Sequence, residues 1–300
     1  MSPCTLCPRT CGVDRTDTRG FCGAPDTLQV SAVCLHRGEE PPLNPIVNVF
    51  FTHCSLQCIY CQNYQISRSE KTKTKSEAYS IDDLADQIVH HLSLIAHHSS
   101  PLLGFVTAAH YTPYIPLILN AVHQRGLHPV TVYNSSGYES VDSLRTLEGL
   151  IDIYLPDLKY MDPQLAYAYS QAADYPQVAT RAIREMRRQV GGSLKVGADG
   201  KAYRGLIVRH LVLPGAVANS LACLEWLADE FPFGLHLALM AQYFPPCEGL
   251  PAPLNRTITS EEYAVVVTRA EELGLTDGWI QEFEAQNNYR PDFTRQNPFE

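Results

Sequence analysis

The sequence predicts an α/β fold built on a parallel sheet, and three observations carry that prediction. Short apolar runs rich in branched and aromatic residues alternate with helical segments along most of the chain. Parallel strands need such alternation, because each crossover takes a dozen or more residues and is usually a helix. Hydrophobic residues make up 45% of the 300 and charged residues 18%, the composition of a folded protein rather than a disordered one. A chain this long buries roughly three quarters of the surface it exposes when unfolded, enough for one large domain or two medium ones.

Taken in order, residues 1–42 contain cysteine, glycine and arginine with little helical periodicity, and read as a compact metal-stapled cap. The run 46–53 is a strand by its branched and aromatic content, and a cysteine loop follows it directly. Residues 68–75 form a polar, basic stretch read as an exposed loop. Ser80 caps a helix reaching about residue 97. Strands are predicted at 102–107, 129–134, 151–156, 206–213 and 235–240. Helices separate them at 113–125, 139–148, 164–190 in two pieces, and 217–230. With the first strand this makes six βα units. Gly197-Ala-Asp-Gly200 turns a hairpin between 194–196 and 202–204. A helix near 260–273 precedes a polar, proline-containing tail, 283–300, read as a strap or a loose end. His90, His91, His97 and His98 share one helix and read as its solvated edge rather than a metal face.

The net charge of −9 argues against bulk electrostatic binding to nucleic acid or to an anionic membrane. No apolar run reaches the ~18 residues of a spanning helix. The opening Met1-Ser2-Pro3-Cys4 lacks a basic-then-apolar leader pattern, so a soluble, cytoplasmic protein is expected. In that reducing setting, clustered cysteines signal metal or redox chemistry rather than disulfides.

Seven of the ten cysteines fall in two clusters. Cys54, Cys58 and Cys61 follow the spacing C-x3-C-x2-C. Three thiolates within eight residues suit three irons of a cubane cluster and leave the fourth iron open to outside chemistry. Zinc is the competing occupant, but it usually takes four ligands in paired knuckles. Cys4, Cys7, Cys11 and Cys22 offer four thiolates, which satisfy either a structural zinc or an auxiliary iron–sulfur cluster. Cys34 and Cys223 read as ordinary buried thiols.

The C-x3-C-x2-C loop, with the aromatic Tyr60 before its last cysteine, resembles the signature of the radical S-adenosylmethionine superfamily. The flanking stretches 44–51 and 62–67 sharpen the resemblance, as do Cys4-x-Leu6-Cys7-Pro8-Arg9-x-Cys11-Gly12 and the motifs at 133–138, 152–160 and 209–215. Together these resemble the branch of uncharacterised Fe–S proteins related to pyruvate formate-lyase activating enzyme. The likeness runs from Cys4 to about Glu282 and does not specify a substrate. It implies that 43–282 form an open, six-unit βα barrel of TIM type, with its chemistry at the C-terminal strand ends. It implies a [4Fe–4S] cluster on Cys54, Cys58 and Cys61, with S-adenosyl-L-methionine chelating the fourth iron. One electron from a flavodoxin- or ferredoxin-type donor then releases a 5′-deoxyadenosyl radical that abstracts hydrogen from a substrate carbon.

On the same resemblance Tyr60 contacts adenine and Arg209 lies near the methionyl carboxylate. An arginine buried in an apolar strand needs an anionic partner in any case. Asn134, Ser135 and Ser136 close strand three, where they either bind the ribose or carboxylate or simply form the turn. Strand two lacks the Gly-Gly-Glu-Pro-like turn of the family and carries Thr107-Ala-Ala-His110. The amine contact then passes to backbone carbonyls, the Thr107 hydroxyl or His110, and the backbone there is expected to run differently. Asp157 and Lys159 either brace the rim or orient a substrate. The family's last strand carries a Tyr-His pair that Met240-Ala-Gln242-Tyr243 does not match. Cys247, just after that strand, is a candidate hydrogen-atom donor at the mouth or an ordinary thiol.

Two substrate classes compete: a glycine Cα in the loop of a partner glycyl-radical enzyme, and a small molecule that is epimerised or dehydrogenated. Two non-enzymatic readings stand beside them, an iron–sulfur electron carrier and a zinc-binding module. Both leave Arg209 and the polar strand ends without a task.

Overall fold

The computed structural model describes residues 3–68, 77–96, 101–287, 290–295 and 297–299. In chain order they form β1 (Gln29–His36), β2 (Ile46–Phe51), α1 (Tyr64–Ser67), β3 (Glu77–Ala78), α2 (Ile81–Ser93), β4 (Leu102–Val106), α3 (Ile115–Gln124) and β5 (Val130–Ser135). There follow α4 (Val141–Arg145), β6 (Ile153–Pro156), α5 (Pro163–Ser170), α6 (Tyr175–Val190), β7 (Lys195–Val196) and β8 (Ala202–Leu211). The chain continues with α7 (Val217–Glu230), β9 (His236–Met240), α8 (Ser260–Glu272) and β10 (Gly278–Ile280).

One sheet runs β10-β9-β8-β6-β5-β4-β2-β1-β3, with β7 paired to β8 as the expected hairpin. From β2 to β10 every neighbour is parallel, whereas β1 and β3 are antiparallel additions at one edge. Among the described residues no ladder joins β10 to the opposite edge, so the sheet stays open. The parallel run thus has a seventh strand beyond the six expected, because β10 pairs with β9 through only Gly278, Trp279 and Ile280.

Alternation divides the strand residues between two faces. Ile46, Leu102, Val132, Ile153, Ile207 and Ala238 pack together on the concave face. Val47, Val49, Leu103, Phe105, Tyr133, Tyr154, Leu206, Val208, Leu237 and Leu239 pack against the helices on the other. The helices begin where their sequences say. Ser80 accepts from the Asp83 amide to open α2, and Thr259 with Glu262 forms a capping box on α8.

The cap is less separate than expected. Residues 29–36 are a full strand, and Cys22, Ala24, Leu28 and Val30 belong to the same core as the helix face of the sheet. The connection 37–45 then runs into the concave face. Leu43 joins the apolar layer there, while Glu40 and Glu39 extend towards Arg209 and Gln242 on the far strands. The tail straps back as well, with Phe293 packing against Cys34, Phe50, Ile66 and Val106. Of the basic stretch only Arg68 is described. Lys71, Lys73 and Lys75 lie outside the described residues, as do His97 and His98.

Candidate functional site

Above the apolar layer the concave face turns polar. Asn48, Asn134, Asp157, Arg209 and Gln242 carry the inward alternation on to the strand ends, where Thr107, Ser136 and Lys159 join them. They line a cleft of about 1330 Å³, its open mouth included, and Cys54, Cys58, Tyr60 and Cys61 line the same cleft. Gly104 makes room inside it, because a Cβ there would strike the Asn48 carboxamide.

Arg209 finds its anion within the chain. Its Nε donates to Asp157 Oδ1 at 3.0 Å and its Nη2 to Asn134 Oδ1 at 3.1 Å. Lys159 Nζ donates to the other oxygen of Asp157 at 2.6 Å. Burial pushes the Asp157 carboxyl up, but Lys159 and Arg209 more than offset this and hold it below the ordinary value. The need for a buried anion is therefore met without a ligand, and what Arg209 still offers the cleft is Nη1. Likewise Asn134 retains only its Nδ2 for a ligand.

The cysteine loop sits at the C-terminal end of β2 and is held in unusual backbone. His53 and Gln57 both have left-handed φ, 70° and 52°. Hydrogen bonds from outside fix it. The Ile59 amide donates to Tyr169 O at 2.8 Å, Gln57 Nε2 to Phe21 O at 2.6 Å, and Arg68 Nη2 to Cys58 O at 2.5 Å. Arg9, between two cap cysteines, donates to Ser55 O at 3.0 Å and to Ser170 O at 2.9 Å, and also to Gln171 O. Its guanidinium lies 3.7 Å from the Phe21 ring centroid. The cap thus grips the loop that carries Cys54 and Cys58.

The donor set suits a cluster. The Leu56 amide donates to Cys54 Sγ at 3.3 Å. Burial pushes the Cys54 thiol up to about 12, and Cys58 and Cys61 raise it further by their own charge. Burial likewise raises the Cys61 thiol, so metal cations would be needed to compensate these two as thiolates. Among the described residues no group of three or more Cys, His, Asp or Glu side chains converges on a single-ion site. The three thiols instead border a cleft, as ligands of a larger group would. In the cap, Cys7 is also pushed up to about 12, by burial first and then by Cys22 and Cys4. The Ala24 amide donates to Cys22 Sγ at 3.4 Å, and Gly20 lies so close to Cys11 that a Cβ would come within 2.5 Å of its sulfur.

Tyr60 is buried at the cleft, and Tyr160 donates to its hydroxyl at 2.8 Å. Thr107 lines the cleft with φ 58°, a left-handed conformation that glycine adopts more readily. His110 does not line the cleft. Its Nε2 meets Thr52 O at 2.7 Å and burial holds its pKa down to about 3, so it packs beneath the strand ends as a neutral ring. Ser135 is also turned away, its hydroxyl donating to buried Glu139 at 2.6 Å. Cys247 is exposed in the loop after β9 and contributes nothing to the cleft lining, which corrects its expected place at the mouth. The sequence reading missed Glu39, Glu40, Asn48 and Gln62. The inward alternation of Ile46-Val-Asn48-Val-Phe50 was the available sign for Asn48, but nothing comparable marks the two glutamates.

These features define an α/β protein with an open parallel sheet and a three-cysteine loop bordering a polar cleft. No family model matches the sequence. An uncharacterised protein of Methanocaldococcus jannaschii, MJ0674, is 28% identical over 279 residues, covering 91% of this chain and 75% of its own length. Among solved structures, native anSMEcpe with bound AdoMet superposes with a TM-score of 0.50 at 10% identity, over 73% of this chain. HydG, a maturase of the [FeFe]-hydrogenase, gives 0.48 at 12% identity over 78%. The chain spans 57% and 51% of their respective lengths. The likeness to anSMEcpe is one of fold.

Proposed function

We propose that this chain is a radical S-adenosylmethionine enzyme. The observation that carries the reading is the C-x3-C-x2-C loop at the end of the first parallel strand, with all three thiols on the polar cleft. Cys54, Cys58 and Cys61 would hold a [4Fe–4S] cluster, and the cleft would take S-adenosylmethionine beside it. When bound, the pair supplies a 5′-deoxyadenosyl radical that removes a hydrogen atom from a substrate carbon.

The chain's own residues bind and orient. Tyr60 presents a ring fixed by Tyr160, suited to an adenine face. Asn134 Nδ2, the Ser136 and Thr107 hydroxyls and Arg209 Nη1 are the polar groups free for the ribose and methionyl ends. The Lys159–Asp157–Arg209 chain holds Arg209 in place and, through it, Asn134. The apolar layer below closes the cleft floor to water. The cap cysteines would hold a second group. Their spacing lacks a second tight knuckle pair, which favours an auxiliary cluster over zinc. A flavodoxin- or ferredoxin-type protein would supply the electron. The target carbon is a partner protein's glycine Cα on the activase resemblance, or a carbon of a small molecule. With Cys247 outside the cleft, a hydrogen-donating thiol no longer supports epimerisation.

Anaerobic reconstitution tests the reading. Wild type should bind about four irons at the cleft and about eight if the cap also holds a cluster. On reduction it should cleave S-adenosylmethionine to 5′-deoxyadenosine, and Cys58→Ala should lose that cleavage. Absence of iron, or equal cleavage by the variant, would overturn it.

A further inference from the structure

Glu40 is 3% exposed and lines the cleft, yet its Oε1 has no hydrogen-bond partner. Its nearest cation, Arg209 Nη1, stands 4.0 Å away, a long ion pair beyond hydrogen-bond reach, while Nε and Nη2 of that guanidinium bind Asp157 and Asn134. Glu39 lies beside it on the same cleft, held by Gln242 Nε2 at 2.8 Å. His36, also on the lining, has a buried Nδ1 with no partner. A buried carboxyl oxygen without a hydrogen bond is costly and points to a missing donor.

Charge narrows what that ligand is. The lining carries three carboxylates, Glu39, Glu40 and Asp157, against two permanent cations, Lys159 and Arg209. Both cations pair with Asp157, so the surplus negative charge falls on the two adjacent glutamates. Burial, and then Glu39, push the Glu40 carboxyl up to about 8 even though Arg209 pulls the other way, so Glu40 relieves the surplus at neutral pH by keeping a proton that an entering cation would displace. The backbone holds the pair in place. The Gly38 amide donates to Asn44 Oδ1 at 2.7 Å, and Asn44 Nδ2 donates back to Gly38 O at 2.9 Å, closing the loop that carries both glutamates.

We infer that Glu40 and Glu39 form a subsite for a cationic group of the substrate, an ammonium or guanidinium. This deepens, and rests on, the reading of the cleft as a radical S-adenosylmethionine site. A bound ammonium would bring donors for Glu40 Oε1 and Glu39. It offsets the surplus charge and anchors one end of the substrate beside the cysteine loop. Glu39 and Glu40 select the substrate and touch no bond that breaks.

The test is equilibrium binding to the purified chain by ligand-observed NMR. The probes are n-butylammonium, 1-butanol and butyrate, together with acetyl-Gly-Lys-Gly-amide and its norleucine counterpart. We expect n-butylammonium to bind at least tenfold tighter than 1-butanol or butyrate. Glu40→Gln should abolish that preference, and Glu40→Asp, which keeps the charge, should restore part of it. A lysine-peptide preference larger than that of the free amine assigns the cation to a peptide substrate, and the reverse to a small amine. Equal binding of the three small probes, tighter butyrate, or a preference that survives in Glu40→Gln overturns the subsite. Iron content and 5′-deoxyadenosine are measured on the same preparations. Cleavage without ammonium preference then sinks the subsite alone, and ammonium preference without iron sinks the radical reading on which its role depends.

Discussion

At the scale of single residues, the polar cleft is a problem of charge pairing. Asp157 separates two buried cations, and its carboxylate is the partner common to both. Asp157→Asn removes the carboxylate that Lys159 and Arg209 both contact directly and leaves Arg209 only the looser approach of Glu40 at 4.0 Å. Breaking a buried pair by removing one member costs about 3–5 kcal/mol, and here two pairs share the lost member. Urea unfolding at neutral pH should show a loss of that size, and Asp157→Asn/Lys159→Met should recover part of it. A loss below about 1 kcal/mol would mean that solvent already screens the pair, as at an exposed site. The sequence offered an Asp157–Lys159 pair bracing the rim but not the contact with Arg209, because Arg209 is on β8 and the other two follow β6. His110 was misplaced for a related reason. Thr107 turns left-handed at the end of β4, and three residues on, the chain is already beneath the strand ends rather than on the cleft.

Among elements, the informative contact is the one between the cap and the cysteine loop. Arg9 holds three backbone carbonyls, from Ser55, Ser170 and Gln171, and stacks on Phe21. Hydrogen bonds from a charged donor contribute about 1.5–3 kcal/mol each when well made. Arg9→Ala should therefore loosen the loop between Cys54 and Cys58 without touching a thiol. The expected result is a lower iron content at the cleft and a broadened electron paramagnetic resonance signal of the reduced cluster. Lys in the same position should restore little, since an ammonium lacks the planar fork that reaches three carbonyls. Iron content and signal unchanged in Arg9→Ala would show that β2 and the Tyr169 contact suffice. Among strands and helices, those with long periodic stretches were legible to within a few residues, as with α7 at 217–230. Three strands were not, the two-residue β3 among them. β10 has three residues, too few for a pattern, and β1 lies in a segment whose cysteines drew the reading towards a separate metal module.

Over the whole molecule, cap, sheet and tail share their packing, so folding and titration are properties of one unit. Cys22 and Leu28 belong to the same apolar core as Tyr133, Leu206 and Leu239. Parallel pairing was legible from the alternation of strands and helices, whereas the insertion of residues 37–45 into the concave face was not, since it depends on contacts to Arg209 and Gln242 far along the chain. Buried titratable groups then act on global stability with opposite signs. Burial pushes the Glu139 carboxyl up to about 7, so the folded chain keeps its proton where the unfolded chain loses it, and this contribution fades as pH rises from about 4.5 through 7. His210 behaves the other way. It is fully buried between Leu158 O, 2.6 Å from Nδ1, and Ser220 Oγ, 2.9 Å from Nε2, and burial lowers its pKa from 6.5 to about 4. The unfolded state therefore binds more protons than the folded state between those values, and the stability that neutral His210 contributes is lost as pH falls through that window. The two slopes overlap, so the wild-type curve alone does not separate them, but a difference curve does. The stability gap between wild type and His210→Gln should narrow by up to about 3 kcal/mol from pH 7 to pH 4. A gap that stays constant would mean that His210 titrates alike in the folded and unfolded chains, and a gap that widens as pH falls would mean that the folded protein holds an imidazolium with Leu158 O accepting.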